Sequence, residues 1–227
     1  MLYFGLVAGI AAGNLAAHAS GVDAFRAMVA TLILIIPALA AARLLYVAAN
    51  WKHYRNHPRR IWNRQEGGLA MYGGLPVMLL LSAPLLAALG VPFGAFWDVA
   101  AFTILAGMIL TKIGCLLNGC CAGRLSRGRM AVSLPNIRGV WERRVPVQYL
   151  EAGWAAVLLA SASALLGLLP FPGALFLCVA ALYASGRLVL ESMREPEPEA
   201  GRIVPGFAVS LVTVALAIGI LAVRWPR

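Results

Sequence analysis

Seven apolar runs of about twenty residues set the limits on what this chain can become. They lie at about residues 2–19, 26–48, 68–90, 96–116, 147–168, 171–192 and 204–224. A helix rises 1.5 Å per residue, so about 20 apolar residues cross the roughly 30 Å hydrocarbon core of a bilayer. Inside lipid every backbone N–H and C=O must find its partner within the protein, and a continuous apolar run of this length does so as a helix. The chain is therefore expected to be all-α: a polytopic membrane protein and a seven-transmembrane-helix bundle. It should form a single transmembrane domain over residues 1–227, with a small polar extramembrane lobe at 117–146. Charged residues make up only 12% of the sequence, against about 25% in a soluble domain, which excludes an ordinary water-soluble fold.

The opening MLYFGLVAGI has no basic residues ahead of its apolar run and reads as a retained span, not a cleaved signal peptide. Gly5, Gly9 and Gly13 recur there at four-residue spacing, a small-residue ridge on which another helix can pack closely. The net charge of +10 falls almost entirely outside the apolar runs. For a membrane protein the matching partner is an anionic lipid headgroup, not nucleic acid. The four cysteines include no CxxC pair, so neither a disulfide framework nor a zinc knuckle is expected. His53 and His57 stand four residues apart without a third ligand in reach, and no metal or other cofactor is expected.

The fourth run ends in TKIGCLLNGCCAGR, where Lys112, Cys115, Asn118, Cys120, Cys121 and Arg124 arrive together with Gly114, Gly119 and Gly123. Each glycine weakens a helix by roughly 1 kcal/mol relative to alanine, so three in ten residues suggest close approach by a neighbour or a ligand. The third run opens on GGLAMYGGLP, whose bare amides can cradle an anion or simply let two helices cross. VPVQYLE puts Gln148 and Glu151 in the first turns of the fifth run. Arg187 and Glu191 stand at i, i+4 near the end of the sixth, a natural pair and, at membrane depth, a functional hypothesis by default. If the seven runs alternate in direction, all these segments fall on one membrane face. The positive-inside rule would make that face cytoplasmic; cations that bind lipid phosphate would override the rule.

EGGLAMYGGL, KIGCLLNGCCAGR, VPVQYLE and GRLVLESMREP, in that order across residues 66–196, resemble the prolipoprotein diacylglyceryl transferase family. The resemblance implies a multi-pass enzyme of the bacterial cytoplasmic (inner) membrane whose site opens to the extracytoplasmic side. Members move the diacylglyceryl group of phosphatidylglycerol onto the lipobox cysteine thiol of a prolipoprotein signal peptide and release glycerol phosphate. Asn118, Gly114, Gly119, Gly123 and Arg124 match the family's signature stretch, Arg187 and Glu191 its essential pair, and Gly73 and Gly74 its third-helix glycines. The chain departs from the pattern at Tyr72, where the family has histidine, and at Lys112 for arginine. It departs again at Cys115 for asparagine, Cys120 for glutamate, and Phe4, beside Tyr3, for tyrosine.

Alkylating a thiol with a phosphate-linked glyceryl carbon requires that the leaving phosphate be stabilised, the nucleophile lose its proton and water be excluded. Arg187 is the expected phosphate ligand, because a guanidinium binds phosphate oxygens bidentately. Lys112 or Arg124 could add a second cation, with Gly73, Gly74, Gly119, Gly123, Gln148 and Glu151 lining the substrate site. Glu191 either orients Arg187, acts as base, or only fixes two helices as a buried ion pair. Tyr72 could relay a proton if a cation lowers its pKa from near 10. Cys120 and Cys121, with Cys115, are either reactive thiols acidified by Lys112 and Arg124 or small packing residues, and Cys178 is core. Other readings are a paralogue with a different acceptor, a membrane thiol oxidoreductase built on Cys115, Cys120 and Cys121, and a non-catalytic lipid-binding protein.

Overall fold

The computed structural model describes residues 2–55, 61, 71–136, 138–195 and 206–225. Among the described residues, each apolar run that the sequence marks contains one long helix. The long helices are α1 (Leu2–Ser20), α2 (Ala24–Ala49), α4 (Met71–Leu89), α5 (Phe93–Leu117), α6 (Val147–Leu165), α7 (Ala174–Glu191) and α8 (Gly206–Arg224). A single turn, α3 (Trp51–Tyr54), follows α2. Among the described residues, three helices are long and apolar enough to cross a membrane by length and composition: Ala24–Ala48, Phe93–Leu117 and Ala174–Glu191. Asn14 and His18 dilute α1, and Gln148, Glu151, Ser161 and Ser163 dilute α6.

The helix ends move by a few residues from the expected ones, each for a local reason. Pro92, which has no N–H to leave unpaired, precedes the first residue of α5, so that helix begins at Phe93 and not 96. Gly167, at φ +79°, lies beyond the end of α6, which stops at Leu165 and not 168. α7 begins at Ala174 and not 171, because Asp98 of α5 accepts hydrogen bonds from the amides of Gly173 (2.7 Å) and Phe176 (2.9 Å) and fixes its start there.

α5 is the central helix, and α1 lies along it. The glycine ridge makes that contact: a Cβ at Gly9 would sit 2.6 Å from the Thr103 carbonyl oxygen. Alanine is the better helix former by roughly 1 kcal/mol, but overpacking against backbone costs about 1–3 kcal/mol. Gly9→Ala is therefore expected to lower the thermal unfolding midpoint. An unchanged midpoint would show that the ridge does not carry the contact. Trp97 on α5 fills the core between α4 and α7, with its indole N–H donating to Ser82 Oγ (3.2 Å) and its ring 4.8 Å from that of Phe176.

The connection between α5 and α6 is not all loop. β1 (Val132–Pro135) pairs antiparallel with β2 (Trp141–Arg144), in register from Val132↔Arg144 to Pro135↔Trp141. Residues 122–126 then run between this hairpin and the segment after α7. The Arg124 amide donates to the Met193 carbonyl (2.9 Å) and the Glu195 amide to that of Ala122 (3.0 Å). On the other edge, the Val145 amide donates to the Arg124 carbonyl (3.0 Å). This ribbon ties the last residue of α5, the first of α6 and the last of α7 to one place.

Candidate active site

A buried carboxylate holds that place together. Glu151, one turn into α6 and 1% exposed, receives three cations from three different segments. Lys112 Nζ, from the last turns of α5, is 2.5 Å from Glu151 Oε2. Arg187 Nη1, from α7, pairs with Glu151 Oε1. Arg194 Nη2, three residues past α7, donates to both carboxylate oxygens at 2.9 Å. The expected i, i+4 pair is present as well, with Arg187 Nη2 2.8 Å from Glu191 Oε2. Among the described residues, three cations thus stand against two carboxylates. Lys112, Arg187 and Arg194 keep at most 16% of their side chains exposed. Charge so far from water seeks an anion.

Gly186, next to Arg187, gives up its side chain to Trp154 of α6. A Cβ there would be 2.3 Å from the indole nitrogen, which donates to the Leu182 carbonyl at 3.2 Å. This contact fixes the register in which Arg187 meets Glu151. Gln148 is also buried. Its Nε2 donates to the Cys120 carbonyl (3.0 Å), and its Oε1 has no hydrogen-bond partner among the described residues.

The turn that ends α5 carries the thiols. The sulfurs of Cys115, Cys120 and Cys121 all lie within 4.8 Å of one another, and none of the three is in a disulfide. Asn118 caps the helix, Gly119 turns the chain at φ +66°, and Cys121 adopts φ +56°, uncommon for a residue with a side chain. Hydrogen bonds with Cys115 and Cys120 pull the Cys121 thiol well below its usual range, helped by the charges of Lys112 and Arg194. The same bonding pushes the Cys120 thiol up.

Other expected site residues make no ion pair with the cluster around Glu151 among the described residues. Asn118 and Arg124 are exposed, and Arg124 makes no ion pair among the described residues. A Cβ at Gly119 would meet the Asn136 carbonyl oxygen at 2.4 Å, and one at Gly123 that of Val145 at 2.1 Å, so both glycines serve the packing of the ribbon. Gly74 faces the Ala38 carbonyl of α2 at 3.0 Å, where two helices cross. Gly67 and Gly68, the first half of the third-run entrance, lie outside the described residues, as does His57. The backbone of Tyr72 and Gly73 is in α4, but the Tyr72 side chain and its expected role lie outside what is described. The sequence reading missed two cations of this region, Arg194 and Arg144. Arg194 continues the face of Arg187 and Glu191 at i+7, a periodicity that could have revealed it. Arg144, at 1% exposed, is clasped by Glu142 and Glu195 across the ribbon and gave no such signal. A cavity of about 230 Å³ opens at the other end of the bundle, beside Asp98, whose carboxylate is taken up in capping α7.

The family model described as prolipoprotein diacylglyceryl transferase matches residues 1–223. The phosphatidylglycerol–prolipoprotein diacylglyceryl transferase of Nostoc sp. is 30% identical over 206 residues, covering 86% of this chain and 72% of that protein. That of Bacillus cereus is 29% identical over 198 residues, 82% of this chain and 72% of that protein. A third, from Nitrobacter winogradskyi, is 28% identical over 200 residues, 85% and 69%.

Proposed function

The chain belongs to the prolipoprotein diacylglyceryl transferase family, and from that premise we propose that it transfers the diacylglyceryl group of phosphatidylglycerol to the lipobox cysteine thiol of a prolipoprotein. Glycerol phosphate is the leaving group. The observation that carries this reading is the set of cations at the meeting point of α5, α6 and α7, where Lys112, Arg187 and Arg194 outnumber Glu151 and Glu191. A phosphodiester brings an anion to cations that outnumber the carboxylates they meet among the described residues.

In this reading Arg187 and Lys112 stabilise the phosphate as negative charge gathers on its departing oxygen, and Glu151 and Glu191 aim them. Preorganised charge in a site sheltered from water is usually the largest single contribution to such catalysis. Gln148 Oε1, buried and unpartnered, offers an acceptor to a hydroxyl of the glycerol headgroup. The seven long helices each cross the inner membrane, with the charge cluster opening to the extracytoplasmic side, and cations that hold phosphate account for the departure from the positive-inside rule.

The test is mass spectrometry of the purified protein incubated with phosphatidylglycerol vesicles and a lipobox peptide. The peptide is expected to gain one diacylglyceryl unit with release of glycerol phosphate, and a peptide with serine for the lipobox cysteine to gain none. Glycerol phosphate released with no gain on the peptide would point to a different acceptor. Neither product would overturn the reading.

A further inference from the structure

We propose that Cys115, Cys120 and Cys121 form a three-thiolate site for a thiophilic divalent ion of the zinc class, with its fourth position left for the acceptor thiol. The sulfurs come from the last turn of α5 and from the reversal that follows it, and they lie within 4.8 Å of one another. Zinc–sulfur bonds of about 2.3 Å hold tetrahedral ligands about 3.8 Å apart, so small rotations of these side chains close the site. The turn that presents them is fixed from two sides: the Cys120 amide donates to the Cys115 carbonyl (3.1 Å), and Gln148 of α6 donates to the Cys120 carbonyl (3.0 Å). Cys121 holds a positive φ there, a cost that persists only where the surroundings impose it.

The donor set narrows the ligand. Three sulfurs, with no histidine or carboxylate in the cluster among the described residues, suit a soft or borderline ion and not magnesium or calcium. Structural zinc sites close all four positions with protein ligands, whereas three ligands and an open position mark the reactive kind.

The role of the open position rests on the transferase reading. A thiol that coordinates zinc is deprotonated outright, and the thiolate is the form that attacks carbon. The acceptor's cysteine sulfur takes the fourth position and its proton passes to solvent. Its electron pair then forms the C–S bond to the glyceryl carbon while the C–O bond to phosphate breaks. The displaced pair stays on the phosphate oxygen of the departing glycerol phosphate. The product is a neutral thioether, a poorer ligand than a thiolate, and it leaves.

The experiment uses the full chain, reduced, in lipid nanodiscs and titrated with Zn(II) or Co(II). One ion per chain is expected, with sulfur-to-cobalt charge-transfer absorption in the near ultraviolet. Cys115→Ser, Cys120→Ser and Cys121→Ser should each weaken binding by at least about a hundredfold, the upper end of what even an outer-shell partner is worth. Cys178→Ser, in the middle of α7, should leave binding unchanged. Should a serine variant fail to fold, alkylation of the wild-type chain replaces it: zinc is expected to protect Cys115, Cys120 and Cys121 from N-ethylmaleimide but not Cys178. Fewer than one ion bound, protection that spares none of the three, or a disulfide among them in the chain as isolated would overturn the site. With cobalt bound, the lipobox peptide should shift the visible bands and its serine counterpart should not. Bands that do not move would overturn the acceptor's place. Failure of the transferase reading would show separately, as a metal-loaded chain that adds nothing to the peptide.

Discussion

Glu151→Gln is expected to cost about 3–5 kcal/mol of stability, the range seen when one partner of a buried ion pair is removed. The amide keeps the shape of the side chain but not its charge. Among the described residues, Lys112, Arg187 and Arg194 would then share Glu191 as their only carboxylate. The loss exceeds that of an exposed pair, worth about 0–1 kcal/mol, because Glu151 is 1% exposed and the three cations are nearly as sheltered. Unfolding of the purified protein in mild detergent gives the measurement. Adding Lys112→Met should recover part of the loss by removing one unbalanced cation, so that the double variant is more stable than Glu151→Gln alone. A single variant as stable as the wild type would show that Glu151 does not anchor the three segments.

Arg187→Gln is expected to lower the rate of diacylglyceryl transfer by about 10²–10³, as removal of one preorganised donor does elsewhere. Because the guanidinium acts on charge that develops as the phosphate leaves, the loss should fall on kcat. A loss confined to KM would mean that Arg187 only holds the lipid's ground state. Arg187→Lys should restore little, since a compact ammonium cannot reproduce the planar fork that spans Glu151 and Glu191. Undiminished turnover in Arg187→Gln would remove the phosphate role from this residue.

The helices were legible because the runs that encode them are long and nearly unbroken. The pairing of Arg187 with Glu191 was legible because helical spacing brings i and i+4 together whatever the rest of the fold does. Lys112, Gln148 and Glu151 stood out as polar groups in apolar surroundings. What the sequence concealed depends on the ribbon. Arg144 and Arg194 sit in polar stretches that read as solvated. Both are drawn into ion pairs because residues 122–126 bring segments some seventy positions apart side by side. The same ribbon explains Gly119 and Gly123, which make room for carbonyls of the chain itself where a headgroup was expected. The three sulfurs were hidden for a related reason. Positions 115, 120 and 121 share no helical face, and they meet only because Gly119 and Cys121 turn the chain back at positive φ.

The docking of α1 on α5 has a bearing on how the protein is made. α1 finds its principal neighbour only after the chain has been synthesised past Leu117. Until then the grooved flank at Gly5, Gly9 and Gly13 lacks the helix that covers it. A nascent chain halted after Leu89 should accordingly keep that flank open to crosslinking, and one extended beyond Leu117 should close it.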